Sequence, residues 1–177
     1  NDLGHQMMAD VIIHFLELVY ANLEHEREQD NDMPAPITQN AYEHSTRWQN
    51  DNYEPVTDGF ARDDTPQNDI REIFRKGWTA SDKGANITFE VEASCLAVQY
   101  RKSVVQPTPI AKAIVDGDEE HAMLLDGNFE ETWGDSLHLD TLAEHLPYGK
   151  HTVRIELIET HEDDKVPFYL VSVIASH

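Results

Sequence analysis

The sequence has one cysteine, Cys95, and only 13 Lys and Arg against 34 Asp and Glu in 177 residues, a formal charge of −21. A lone cysteine excludes an internal disulfide and removes the thiolate sets that hold most structural zinc. Nucleic acids and anionic membranes are gripped largely through Lys and Arg, so a chain this acidic is repelled by both. Neither is expected as a partner. Apolar runs are short: Val11 to Phe15, with His14 inside it, falls far short of the roughly 20 residues that cross a bilayer. No transmembrane segment is expected, and the compartment stays open between cytoplasmic and secreted. A chain of this length buries about two-thirds of its unfolded surface, enough for a core without metal or disulfide staples.

Leu3, Met7, Val11, Phe15 and Leu18 recur every three or four residues, with Met8, Ile12, Leu16, Val19 and Leu23 beside them. That spacing predicts an amphipathic helix from about Asp2 to Leu23, fraying through Glu24 to Glu28 and capped by Asn1 or Asp2. So broad an apolar face needs something large to lie against. An initial Asn instead of Met, without the charged-then-apolar pattern of a secretion signal, reads as a piece of a longer protein. Residues 1–28 are assigned to a terminal helix left over from another domain.

Between Gln29 and Asp69 the pattern dissolves into Asn, Asp, Gln, Thr and four prolines, Pro34, Pro36, Pro55 and Pro66. This composition predicts an extended arm over 29–69 with little regular structure, pinned to a surface by Tyr42, Trp48, Tyr53 and Phe60. From residue 70 the period becomes two. Ile87, Phe89 and Val91 alternate with polar neighbours, as do Leu96, Val98 and Tyr100, then Val153, Ile155 and Leu157, and a last apolar run covers Phe168 to Ile174. Ile110 to Val115 leads into Asp116-Gly117, and Met123 to Leu125 into Asp126-Gly127, both turn signals. Leu137 to Leu146 reads as a helical turn or two. The expected fold is mainly β: a jelly-roll type antiparallel β-sandwich over 70–177, preceded by one amphipathic helix and a long wrapping arm.

Motifs for chemistry are sparse. The ten histidines are dispersed, and neither His25 nor His161, each followed by Glu, has the second histidine of a zinc-protease motif. The acidic run Asp116 to Glu120 lacks the full calcium-loop pattern. It reads as a solvated charged turn, with irregular calcium coordination left open. Gly134-Asp135-Ser136-Leu137 spells a hydrolase motif, but no buried parallel strand precedes it; the Asp-x-x-His partner spacing occurs as Asp135 to His138, which overlaps the serine, and as Asp118 to His121, and neither precedes a suitable helix. Ser136 as the nucleophile of a small independent hydrolase is therefore kept only as an alternative.

Asn1, Gly4 and His5 followed by a helix resemble the tail of the last catalytic block of SGNH/GDSL-type hydrolases, Asp-x-x-His-Pro-Asn-x-x-Gly-His. The stretches Asn40-Ala41-Tyr42-Glu43, Gly77-Trp78, Ile87 to Val91, Leu96 to Arg101, Val115-Asp116-Gly117, Leu125-Asp126-Gly127, Trp133-Gly134 and Gly149 to Ile155 resemble the accessory β-sandwich that some bacterial members carry after the hydrolase. The resemblance implies the carboxy-terminal portion of a serine esterase acting on carboxylic esters, acylated carbohydrate among them. The catalytic Asp and His would precede Asn1, so His5 takes no catalytic role. No catalytic residue, cofactor or metal is assigned to this chain. The implied partners are the missing hydrolase domain and a carbohydrate ligand, with Trp78, Trp133 and Tyr148 as stacking platforms for apolar sugar faces. The competing reading of Trp78 and Trp133 is that they fill the core. The rival for the whole chain is a free-standing carbohydrate-binding or adhesive sandwich whose helix joins copies into a homo-oligomer.

Overall fold

The computed structural model describes residues 2–23, 40, 42–67, 69–131 and 133–177. The capping role of Asn1, the fraying through Glu24 to Glu28 and the first part of the arm lie outside the described residues. The rest forms two units, a helix and a sandwich.

Helix α1 (Asp2–Leu23) has the expected bounds. Gln6, Asp10 and Glu17 fall on one strip of its surface, and roughly two-thirds of its circumference is apolar at 3.6 residues per turn. Leu3, Met7, Val11 and Phe15 are exposed. Among the described residues, no helix is long and apolar enough to cross a membrane.

The sandwich contains β1 (Ser45–Trp48), β2 (Val56–Asp58), β3 (Ala61–Asp63), β4 (Gly77–Ala80), β5 (Asn86–Ala93), β6 (Cys95–Lys102), β7 (Ile110–Val115), β8 (Met123–Asp126), β9 (Ser136–Ala143), β10 (Gly149–Glu159) and β11 (Phe168–Ser176). One sheet runs β3-β4-β11-β6-β9, with β1 sharing the β4 edge of β11: β4 pairs with Phe168–Leu170 and β1 with Val173–Ser176. The second runs β2-β5-β10-β7-β8. Both are antiparallel, and the chain crosses between them at every connection except β3 to β4 and β7 to β8, as in a jelly roll.

Strict alternation in β5 and β10 sends Ile87, Phe89, Val91, Val153, Ile155 and Leu157 inward, where they meet Leu96, Val98, Tyr100, Phe168 and Leu170 of the other sheet. Each such side chain contributes about 1.5–3 kcal/mol by leaving water. Val115 and Asp118 close a tight turn through a 2.9 Å backbone bond, and Asp116 and Gly117 between them both have positive φ, as a type I′ turn requires.

Two expectations are corrected. Residues 45–63, read as arm with little regular structure, hold three strands. They were invisible to periodicity because each has three or four residues and their side chains are mostly exposed. Trp48 and Tyr53 pack against the core and Phe60 is part of it. Leu137 to Leu146 is not helical: residues up to Ala143 form β9, paired along β6 from Lys102↔Ser136 to Leu96↔Ala143.

Candidate functional site

Trp78, Trp133 and Tyr148 do not converge. Trp78 is 3% exposed and meets Phe89 edge-on with ring centroids 5.2 Å apart. Its strand β4 lies between β3 and β11, so the indole is directed into the core. It is no stacking platform. Trp133 and Tyr148 are 71% and 60% exposed, but they flank opposite ends of β9. Eight residues of strand separate the two ends by about 25 Å.

At the Trp133 end, the β6–β7, β8–β9 and β10–β11 connections meet. Ser103 N–H donates to the Gly127 carbonyl at 2.7 Å, and Phe129 N–H to the Ser103 carbonyl at 3.0 Å. The Asp135 carboxylate accepts from the Ser103 hydroxyl (2.8 Å) and the Val104 N–H (3.0 Å). Gln106 Nε2 donates to the Phe129 carbonyl at 2.6 Å, and Lys165 N–H to the Pro107 carbonyl at 2.8 Å. Gly127 makes this closure feasible, because a Cβ there would stand 2.8 Å from the Pro109 carbonyl oxygen and the Thr108 hydroxyl. On this laced base Phe129 braces Trp133 edge-to-face, centroids 5.7 Å apart at 88°. So braced, the indole still stands largely open to solvent.

Arg101 lies beside this lacing. It donates to the Pro167 carbonyl at 3.1 Å, sits 3.9 Å from Asp135 and lies over the Tyr169 ring at 5.4 Å. Burial lowers its pKa, while Asp135 opposes that shift. Its charge is occupied internally.

Ser136 opens β9 on an antiparallel strand instead of a strand-to-helix turn. Ser136, His138 and Asp140 share one face by alternation, and His138 Nε2 lies 3.4 Å from Asp140. Among the described residues no hydrogen bond joins Ser136 to an imidazole, and no group of three or more His, Cys, Asp or Glu could hold a metal ion. Asp118 of the acidic run is instead taken up locally, accepting from the backbone N–H groups of Glu120 and His121 and paired with the His121 ring.

No protein-family model and no curated protein matches this sequence. A solved two-domain esterase active on acetylated mannans, crystallised with mannopentaose, is 53% identical, with a TM-score of 0.84, over 99% of this chain and 46% of its own. This chain resembles about half of that esterase. A second structure, of a two-domain esterase active on acetylated mannans, gives 52% identity and a TM-score of 0.86 over 99% of this chain and 47% of the esterase. The resemblance to an esterase seen in the sequence is thus matched by an esterase relative across nearly all of the chain.

Sequence reasoning missed Phe129 as the brace of Trp133 and Asp135 as the clasp beneath it. The available signal was Phe129 and Trp133 four residues apart in a stretch without strand alternation.

Proposed function

We propose that this chain is the accessory portion of an SGNH-type esterase acting on acetylated carbohydrate, with the ester-cleaving residues on the part of the protein that it does not include. The observation that carries this reading is the 53% identity to an esterase active on acetylated mannans, of which the chain covers 46%. In this reading α1 packs its broad apolar face into the hydrolase unit. Self-association through that face is the rival arrangement.

The sandwich holds a neutral mannan chain on the Trp133 indole, whose apolar face suits the C–H face of a pyranose. The braced geometry supports this role because a pre-set ring loses little freedom on binding. Isothermal titration of the 177-residue chain with mannopentaose tests it. Trp133→Ala should weaken binding about tenfold, the loss expected of one aromatic contact, with an unchanged melting temperature. Equal affinity in the variant sinks the assignment of Trp133.

A further inference from the structure

The Tyr148 end carries a feature that the Trp133 reading does not use. The chain enters the sandwich across the end of the β1-containing sheet, where β1 begins, β11 ends, β6 begins and β9 ends. His44 and His177 donate N–H groups to each other's carbonyls at 3.2 and 3.3 Å, closing the end of the β1–β11 ladder. Their imidazole rings meet with centroids 5.1 Å apart, and Tyr148 leans on His177 at 4.7 Å. Three exposed rings therefore form one row: His44, His177, Tyr148.

The row is fixed on both sides. Tyr42 reaches the end of β9, where its phenol donates to Glu144 Oε1. Contact with that carboxylate and with Cys95 pushes the Tyr42 pKa up to about 12. On the other side the Pro147 carbonyl accepts from His151 Nε2 at 2.9 Å, and His151 Nδ1 is 2.7 Å from Asp116. Tyr148 thus follows a tethered residue.

We infer that the His44–His177–Tyr148 row is a second glycan-binding surface, opposite the Trp133 end, which takes a neutral pyranose on its ring faces. The carboxylate of Glu144 meets sugar hydroxyls at its edge. Ring faces supply contact area at low conformational cost. Glu144 accepts from Tyr42 on Oε1, and among the described residues no hydrogen bond reaches its second oxygen. No Lys or Arg stands among these residues, so nothing here rewards an anionic ligand, whereas a neutral polysaccharide meets no repulsion from the acidic chain. Two surfaces about 25 Å apart on one module let it grip two stretches of one polysaccharide or two chains. The inference rests on the proposal that the sandwich binds glycan, but not on Trp133 being the residue that does so.

The test is two-dimensional NMR titration of the 177-residue chain with mannopentaose, for the wild type, Trp133→Ala, Tyr148→Ala and Tyr148→Phe. Expected are shift changes in two separate groups of amides, around 129–135 and around 144–148 with His44 and His177. Tyr148→Ala should weaken the second set about tenfold and leave the first unchanged, and Tyr148→Phe, which keeps the ring, should bind like the wild type. Shifts confined to the Trp133 end overturn the second surface and keep the proposed function. Shifts confined to the Tyr148 end keep the second surface and overturn Trp133. Absence of shifts at both ends rejects glycan binding by the module. A Tyr148→Ala variant whose second set of amides titrates like that of the wild type refutes the row as a binding surface.

Discussion

His151 is the residue whose chemistry is most fully determined by its surroundings. Both ring nitrogens face acceptors, Asp116 Oδ2 at 2.7 Å and the Pro147 carbonyl at 2.9 Å. Only the doubly protonated ring donates to both. The hydrogen bond to Asp116 accordingly raises the His151 pKa, against a smaller opposing effect of burial. For Asp116, burial acts upward, but the bonds from His151 and Thr152 together outweigh it and hold its pKa below the ordinary value. A raised histidine stabilises the fold fully below its unfolded pKa and loses that contribution as pH rises through the folded value. A lowered aspartate stabilises above its unfolded pKa and loses it as pH falls through the folded value. The pair therefore stabilises most between the unfolded values, about pH 4 to 6.5. Thermal melts of wild type and His151→Ala should differ most near pH 5.5, by roughly 1 kcal/mol or about 2–4 °C, since Asp116 is partly solvent-screened. The gap should narrow by pH 8. A difference that is constant over pH 5 to 8 refutes the charge-paired account and leaves only packing.

At the scale of elements, legibility followed burial on one face. β5, β6, β10 and β11 could be read because a half-buried strand must alternate, as Ile87, Phe89 and Val91 do. β9 could not: its face toward the core carries Ser136, His138 and Asp140, so leucines at 137 and 139 fall on the other face, and the apolar spacing mimics a helix. The short β1 to β3 offered no alternation to detect. Trp78 and Trp133 look alike in sequence, each beside a glycine. What separates them is long-range: Gly77 lets β4 press against β11 and carries Trp78 into the core, whereas Gly134, with φ of 149°, turns the chain at a loop and leaves Trp133 outside. The β4–β11 approach is testable. A Cβ on Gly77 would lie 2.2 Å from the Leu170 carbonyl oxygen and 2.5 Å from the Tyr169 ring. The oxygen belongs to a buried strand and cannot retreat. Gly77→Ala should destabilise the sandwich by about 1–3 kcal/mol, as overpacking does, read from urea unfolding. A midpoint equal to that of the wild type would show that β4 stands farther from β11 than described.

For the whole molecule, the question is whether any ester chemistry resides in this chain. Among the described residues, the arrangement that invites it is Ser136, His138 and Asp140 on a shared face of β9. Its hydrogen bonds argue against it: among the described residues none joins the Ser136 hydroxyl to His138, whose Nε2 faces Asp140. His138 turns instead to Asp140, and Tyr100 donates to the same carboxylate at 3.0 Å. Asp140 is thus held by a buried phenol whose pKa is pushed up by burial first and by Asp140 second. That arrangement anchors β9 to the core, and among the described residues no hydrogen bond presents a base to Ser136. Hydrolysis of p-nitrophenyl acetate by the 177-residue chain should therefore match the slow background of its histidines and be the same for wild type and Ser136→Ala. Turnover that vanishes with the Ser136 hydroxyl would mean that the strand rearranges to form a working site, and the proposed division of labour between a binding sandwich and a separate catalytic unit would have to be abandoned.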